Sequence, residues 1–475
     1  QKDGAGVLIE NNFISGHSNF GIFSERSRNV TVRNNLFIPS DTAKNFRHIS
    51  VNTKQQTAAT VQVPGVNSIV IQGNEFRSAS SAGGIGVEFG NHNDDPAAIN
   101  AFTGVVLGGA LAEANTFGGN LQYFFRLDPQ TGASNTILPW TTYPVTPMRP
   151  VADAFDITEN VFSVSGGQKR PAIMTDTELY ELEDKVLHAI DYDSLGFVNS
   201  KPSFAAVTNN SFILPYTSAP SLQRAVKAAG ANDGWLVNIE PAQINEEVLL
   251  TKAMTWNAFP ADSVRLGGIE MSASGKVLTL TDDFVLTTSL KLSNVNGGYI
   301  DIGDNDLDIL PTASVTQGSS NSYVRTTGTG SFVHRTDDGT AKTFPIGTLD
   351  SYAPVEFDDA NPTGDNIRVK VNPAPTAADF TPALPASITT FVKFQWTICE
   401  DVAGGSDAVL RFDWSDPLNV SGSGTINAIT RFDGTNWSSK LATIGPGLVA
   451  NGFNFNAFCS PFAVVADPNL TVITT

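Results

Sequence analysis

Apolar positions along the chain fall in short runs with a period of two. Phe20-Gly21-Ile22-Phe23, Val30-Thr31-Val32, Ser68-Ile69-Val70-Ile71 and Gly84-Ile85-Gly86-Val87-Glu88-Phe89 alternate as strands with one buried face do. An Asn-x-Phe motif, preceded by an aliphatic residue three positions before the Asn, recurs at Asn11, Asn35, Asn74, Asn160 and Asn210. A further copy at Asn115 has Ala112 in the aliphatic place. Asn11, Asn35, Asn74, Asn115, Asn160 and Asn210 stand at intervals of 24, 39, 41, 45 and 50 residues. A fixed phase with a variable interval predicts parallel strands stacked layer on layer, Phe above Phe, with long loops between them. The Asn is expected to turn the chain, because it tolerates left-handed backbone angles, and to bond laterally to the next layer. An antiparallel sandwich with Asn-rich turns is the alternative, but it needs no fixed Asn-x-Phe phase.

Thr175 to Tyr192 reads as a helix, capped by Thr175 and Asp176, with Leu179, Leu182, Val186, His188 and Ile190 making its contacts. A second, shorter helix starts at Ser221 and ends near Gly230, followed by Val277-Leu278-Thr279-Leu280, Leu290-Lys291-Leu292 and other strand-like runs. From about residue 316 strands recur at the close spacing of a β-sandwich, with Trp396, Trp414 and Trp437 as expected core anchors. The expected organisation is therefore all-β. It comprises layered coils with long loops over 1–174, a helical cap and last coil over 175–215, a second short solenoid segment over 216–315, and a sandwich over 316–475.

The run from Ile9-Glu10-Asn11-Asn12-Phe13 to Val32-Arg33-Asn34-Asn35-Leu36-Phe37 resembles coils of the right-handed, pectin-lyase-like parallel β-helix superfamily. The order from Ser221 to Val248 resembles the helix and first coil of secreted β-helix proteins, except that Pro241-Ala242-Gln243-Ile244 replaces the usual Gly and aromatic residue. The last stretch, with Arg431-Phe432-Asp433-Gly434-Thr435-Asn436-Trp437 and Phe458-Cys459-Ser460-Pro461-Phe462, resembles a module common in very large secreted surface proteins of Bacteroidota. That resemblance implies adhesion or surface assembly and a secreted, cell-surface location.

Composition narrows the function classes. With 29 Lys plus Arg against 47 Asp plus Glu the 475-residue chain carries a formal charge of 29 − 47 = −18, which disfavours binding to nucleic acid or to an anionic membrane. No apolar run reaches the roughly 20 residues that span a bilayer, so membrane insertion is not expected. Only 16% of residues are charged, while Gly (41), Pro (26) and Phe (30) are plentiful, a turn-rich and β-rich balance. The chain begins at Gln1 and leads straight into strand-like sequence, and it reads as a processed piece of a longer secreted protein. Cys399 and Cys459 are expected to form a disulfide in that compartment; two free thiols are the alternative.

Candidate chemistry is sparse. The superfamily resemblance includes polysaccharide lyases and hydrolases, which bring several Asp together, in lyases around calcium. The nearest approach is His92-Asn93-Asp94-Asp95, so Asp94 and Asp95 are the catalytic candidates of an enzyme reading. The five His residues lack zinc spacing. Asp304-Asn305-Asp306-Leu307-Asp308 lacks the Gly and Glu of an EF-hand, and reads instead as a strand with its Asp residues outward. No cofactor is expected, calcium being the one candidate. Tyr123, Phe124, Phe125, Trp140 and Tyr143 could stack on sugars if the chain binds glycans. The leading expectation is a non-enzymatic extracellular structural protein, a homo-oligomer or polymer. Its terminal strands, Val7, Leu8 and Ile9 at one end and Val472 and Ile473 at the other, would add to a neighbouring copy.

Overall fold

The computed structural model describes residues 6–25, 27–43, 45–53, 67–79, 83–91, 102–128, 154–191, 195–211, 221–230, 232–260, 263–293, 297–316, 318–336, 340–359, 365–402, 407–414, 416–445, 447–454 and 459–470. The chain forms two compact units. Gln1–Gly230 and Trp235–Pro241 make the first, Ala231–Gly234 and Ala242–Thr475 the second.

The first unit is built from short strands: β1 (Val7–Glu10), β2 (Phe13–His17), β3 (Phe20–Glu25), β4 (Arg28–Arg33), β5 (Leu36–Pro39), β6 (Arg47–Thr53), β7 (Asn67–Gln72), β8 (Glu75–Phe76), β9 (Ile85–Asn91), β10 (Val106–Leu107), β11 (Thr116–Phe117) and β12 (Tyr123–Asp128). β13 (Phe155–Asp156), β14 (Val161–Val164), β15 (Gly167–Lys169) and β16 (Val186–Leu187) follow. From β1 to β12 the chain visits three sheets in rotation, ordered β1-β4-β7-β10, β2-β5-β8-β11-β14-β15 and β3-β6-β9-β12-β16. Every pairing among β1 to β12 is parallel. β15 folds back antiparallel on β14. None of these sheets closes on itself.

Period-two alternation sets which residues meet. Val7, Val30 and Ile69 share a register row, as do Ile9, Val32 and Ile71. Phe37, Phe76, Phe117 and Phe162 form another. Successive rings in that row lie 5.1, 4.9 and 5.1 Å apart, close to the strand spacing of about 4.8 Å that parallel pairing imposes. Each buried Phe is worth roughly 1.5–3 kcal/mol in transfer from water alone.

Helix α1 (Asp176–Glu183) starts as its sequence predicts, with a capping box. The Glu178 N–H donates to Thr175 Oγ1, and the Thr175 N–H to the Glu178 carboxylate. It ends earlier than Tyr192. Val186 and Leu187 leave the helix to pair with Phe125 and Arg126, so strand pairing overrides local helical periodicity there. Helix α2 (Leu222–Ala228) is capped by Ser221, which accepts from the Arg224 N–H. It closes before Gly230, whose φ of 62° suits glycine.

In the second unit, strands Gln243–Leu250, Ser263–Met271, Asp283–Leu292, Leu307–Ile309 and Phe332–Arg335 pair in parallel in that order. The same sheet then continues antiparallel through Asn366–Pro373, Phe394–Glu400 and Cys459–Val465. The change of direction therefore falls after Phe332–Arg335, within one sheet. A parallel edge strand presents N–H and C=O groups that a strand of either direction can use. A separate antiparallel sheet runs Lys342–Phe344, Val355–Asp359, Asp407–Phe412, Gly447–Asn454 and Thr443–Gly445. It meets the first through Trp396, whose ring lies 4.9 Å from Phe412 and whose indole N–H donates to the Ala353 carbonyl. Of the three expected tryptophan anchors only Trp396 is fully buried; Trp414 and Trp437 are half-buried. The Trp437 N–H reaches the Ala383 carbonyl instead.

Candidate functional site

The most distinctive feature of the first unit is a ladder of asparagines whose first described rung, Asn12, lies between the end strands β1 and β2. Asn12 donates its backbone N–H (2.9 Å) and its side-chain amide (3.1 Å) to Asn35 Oδ1. Asn35 does the same to Asn74 Oδ1, and Asn74 to Asn115 Oδ1, every distance 3.0 Å. Asn115 in turn donates to Asn160 Oδ1 at 3.3 and 2.9 Å. The side-chain amides of Asn35, Asn74, Asn115 and Asn160 also reach the carbonyls of Ile9, Val32, Ile71 and Leu107 in the preceding layer. A buried amide left without partners costs about 1–3 kcal/mol, so the ladder ties each layer to its neighbours.

Lateral bonding and turning, both expected of one Asn, are divided between neighbours. The left-handed residues are Asn11 (φ 57°), Asn34 (φ 55°) and Gly73 (φ 63°), each just before a ladder Asn. In the first copy the ladder residue is consequently Asn12, not Asn11. Register confirms the shift by one: Ile14 lies beside Phe37, while Phe13 pairs with Leu36 and is 65% exposed. The Asn11-Asn12 and Asn34-Asn35 doublets, aligned on their second members, carry the signal that gives the correct frame. Asn210 is off the ladder and donates to Asp184 Oδ2.

The edge itself comprises β1, β2 and β3, each the end strand of its sheet. Val7 is 39% exposed whereas Val30, next in its row, is 6% exposed. Ile9, Ile14 and Ile22 are only half-buried, while Val32, Phe37 and Ile49 beside them are fully buried. Among the described residues no strand pairs with the outer side of β1, β2 or β3. Val7, Leu8 and Ile9 lie here as the sequence suggests. Val472 and Ile473, like Asp94, Asp95, Trp140 and Tyr143, lie outside the described residues.

A second polar group, unforeseen from the sequence, sits inside the third sheet. Arg47 Nε lies 2.5 Å from Glu88 Oε1, Arg126 Nε 3.7 Å from Glu88 Oε2, and Arg126 Nη2 donates to Asp128 Oδ1 at 2.7 Å. Ser50 donates to Glu88 and Asn52 to Ser50. Burial pushes the Glu88 carboxyl up, but Arg47 and Arg126 outweigh it and hold Glu88 below its ordinary range. Burial takes Asp128 up to about 6, against the pull of Arg126. These four side chains are at most 3% exposed, so dissolved substrate does not reach them and the cluster belongs to the core. Its residues follow the Asn motifs at different distances, which hid their shared phase.

His17 and His48 meet at 2.9 Å, and His48 Nε2 lies 2.7 Å from the Arg77 carbonyl. Burial, helped by His17, takes His48 down to about 3, so it stays neutral. Tyr123, Phe124 and Phe125 are buried and cannot stack on sugars from solvent. Their alternating positions put two on one strand face and one on the other, and both faces are covered. Cys399 and Cys459 form a disulfide across adjacent antiparallel strands. Asp304 accepts from the Thr329 N–H and hydroxyl, Asp306 pairs with Arg368, and Asp308 is half-buried with Leu307 and Ile309 buried on either side. Among the described residues no group of three or more His, Cys, Asp or Glu is placed to hold a metal ion. Nor is any described helix long and apolar enough to cross a membrane.

Comparison with protein-family models, with curated proteins and with solved structures gives no match to this chain.

Proposed function

We propose that the chain is an extracellular structural protein, a subunit of a surface filament, adhesin or surface layer. In this reading the rotation of strands through three sheets is a right-handed parallel β-helix, and the facing antiparallel sheets of the second unit are a β-sandwich. The observation that supports the assembly reading is that β1, β2 and β3 are the end strands of their sheets among the described residues, with Val7 exposed and Ile9 and Ile14 half-buried. Such an edge invites addition of a strand from a neighbouring molecule. Lysines on an edge strand block that addition. The test compares wild type with the Val7→Lys, Leu8→Lys double variant for incorporation into the surface assembly of the producing cell, viewed by electron microscopy. Wild type is expected in the assembly and the variant in the soluble fraction; equal incorporation overturns the reading.

A glycan-binding module is the second reading. It is favoured by a cleft of about 570 Å³ in the second unit, lined in part by Ser387, Thr389, Ser423, Thr425, Asn427 and Asp467. Hydroxyl, amide and carboxylate groups of this kind hydrogen-bond to sugar hydroxyls. Saturable binding of a neutral oligosaccharide, lost in Asn427→Ala, supports it. Release of reducing ends or unsaturated products from pectin or alginate, abolished by Asp94→Ala, points instead to a polysaccharide-cleaving enzyme.

A further inference from the structure

Five Asn-x-Ser or Asn-x-Thr triplets occur in the chain, at Asn29, Asn209, Asn419, Asn436 and Asn469. In a secreted protein such a triplet is the acceptor for an asparagine-linked glycan, and the sugar sits on the surface of the fold. The structure separates the five. Ser211, which completes the triplet of Asn209, is buried, and its hydroxyl is bound to the N–H and hydroxyl of Thr208. The Asn419 amide donates to Ser351, and both Asn419 and Ser421 are half-buried. Asn29 is exposed, but Thr31 is half-buried within β4, which pairs on both sides with β1 and β7. Thr471, which completes the triplet of Asn469, lies outside the described residues. Among the described triplets only Asn436 and Ser438 are exposed together.

Asn436 closes the loop of a hairpin between the antiparallel strands Ala428–Phe432 and Trp437–Leu441. Asp433 shapes that loop. Its Oδ1 accepts from the N–H groups of Thr435 and Asn436 at 2.9 and 2.8 Å, and its own N–H donates to the Asn436 carbonyl at 3.1 Å. These bonds hold the Asn436 main chain, and among the described residues none engages its side-chain amide. Space around the loop is open, since a Cβ at Gly434 would meet nothing within 4 Å. Side chains two residues apart on extended backbone share a face, so Ser438 stands on the side of Asn436. Trp437 between them turns to the other face, where its ring meets Phe380 and Phe432 and its N–H reaches the Ala383 carbonyl. Among the described residues strand Trp437–Leu441 is paired on one side only, and Leu441 is 46% exposed. A strand edge of that kind is a template for unwanted pairing unless something bulky or charged stands beside it.

We propose that Asn436 carries an N-linked glycan, and that this glycan shields the Trp437–Leu441 edge. In the transfer, Asn436 Nδ2 forms a bond to the anomeric carbon of a glycosyl diphosphate donor. The bond from that carbon to the diphosphate oxygen breaks, the diphosphate leaves with the electron pair, and the amide nitrogen gives up one proton. The inference rests on the extracellular reading above, because the chain must pass through a compartment that holds donor and transferase.

The test is peptide mass spectrometry on the chain recovered from the producing cell, with cell fractionation alongside. The peptide holding Asn436 is expected to carry a mass increase of whole sugar residues, released by an amidase that cleaves the glycan–asparagine bond. The increase should be lost in Asn436→Gln and in Ser438→Ala, and kept in Ser438→Thr, which retains the hydroxyl. All three changes fall on exposed side chains, so the variants should melt as wild type does. Enzymatic removal of the glycan should raise association of the chain in light scattering; unchanged association overturns the shielding role. A bare Asn436 in the wild-type chain overturns the inference without need of any variant. If the chain reaches the cell surface with Asn436 bare, the glycan falls and the extracellular reading stands. If Asn436 is glycosylated while the chain stays out of the surface assembly, the glycan stands and the assembly reading falls.

Discussion

Asn35 Oδ1 accepts two hydrogen bonds from Asn12, one from the backbone and one from the side chain, while Asn35 itself donates twice to Asn74. One side chain therefore satisfies groups in two adjacent layers. Asn35→Leu leaves Asn74 Oδ1, which is buried, without its side-chain donor, and opens the Asn12 contact. A loss of about 2–4 kcal/mol is expected, since each orphaned buried polar group costs about 1–3 kcal/mol. Urea denaturation of the variant against wild type measures it.

The phenylalanine row gives a contrast of position. Phe76 lies between Phe37 and Phe117 and is fully buried, so Phe76→Ala should cost about 3–5 kcal/mol, from lost contact and the cavity left behind. Phe13 faces outward, and Phe13→Ala should stay within about 0.5 kcal/mol. Equal effects would show that Phe13, and not Ile14, occupies the core row.

Asp308 links stability to pH. Burial raises its carboxyl to about 6 against the pull of Arg368, with Asp306, Asp283 and Asp401 adding to the rise. The unfolded carboxyl titrates near about 3.9, so the folded chain holds the extra proton between roughly pH 4 and 6. Its contribution is fully present below about pH 4 and is lost as pH rises through about 6. Asp308→Asn carries no charge, and at pH 7.5 it should exceed wild type in stability by on the order of 1–2 kcal/mol. The difference should vanish near pH 4. Thermal melts from pH 4 to 8 on both proteins read this out.

Reduction of Cys399–Cys459 opens a crosslink between residues 60 apart in sequence. A loop of that length corresponds to about 4 kcal/mol in the chain-entropy account. Cys399→Ser with Cys459→Ser should lower the denaturant midpoint of the second unit and leave that of the first unchanged. Tryptophan fluorescence, with Trp396 buried in the second unit, follows the transition.

The stacking of Phe37, Phe76, Phe117 and Phe162 was legible because a fixed Asn-to-Phe spacing survives any loop between layers. The frame of the first copy was not, since Asn11-Asn12-Phe13 offers two asparagines and a phenylalanine in the wrong phase, and only pairing with Asn35 decides between them. Arg47, Glu88 and Arg126 escaped notice for a related reason. Their distances from Asn35, Asn74 and Asn115 are set by loops, so no window of sequence shows that Ser50, Glu88 and Arg126 share a row. The early end of α1 was hidden because the partner of Val186, Phe125, lies far away in sequence.

Consecutive rungs of the asparagine ladder are separated by 23, 39, 41 and 45 residues, yet every step has the same hydrogen bonds. Vertical growth is thus independent of how much chain is spent on each circuit. Segments inserted or removed between rungs leave the support unchanged, so evolution can redraw the flanks of such a molecule while its spine is inherited intact.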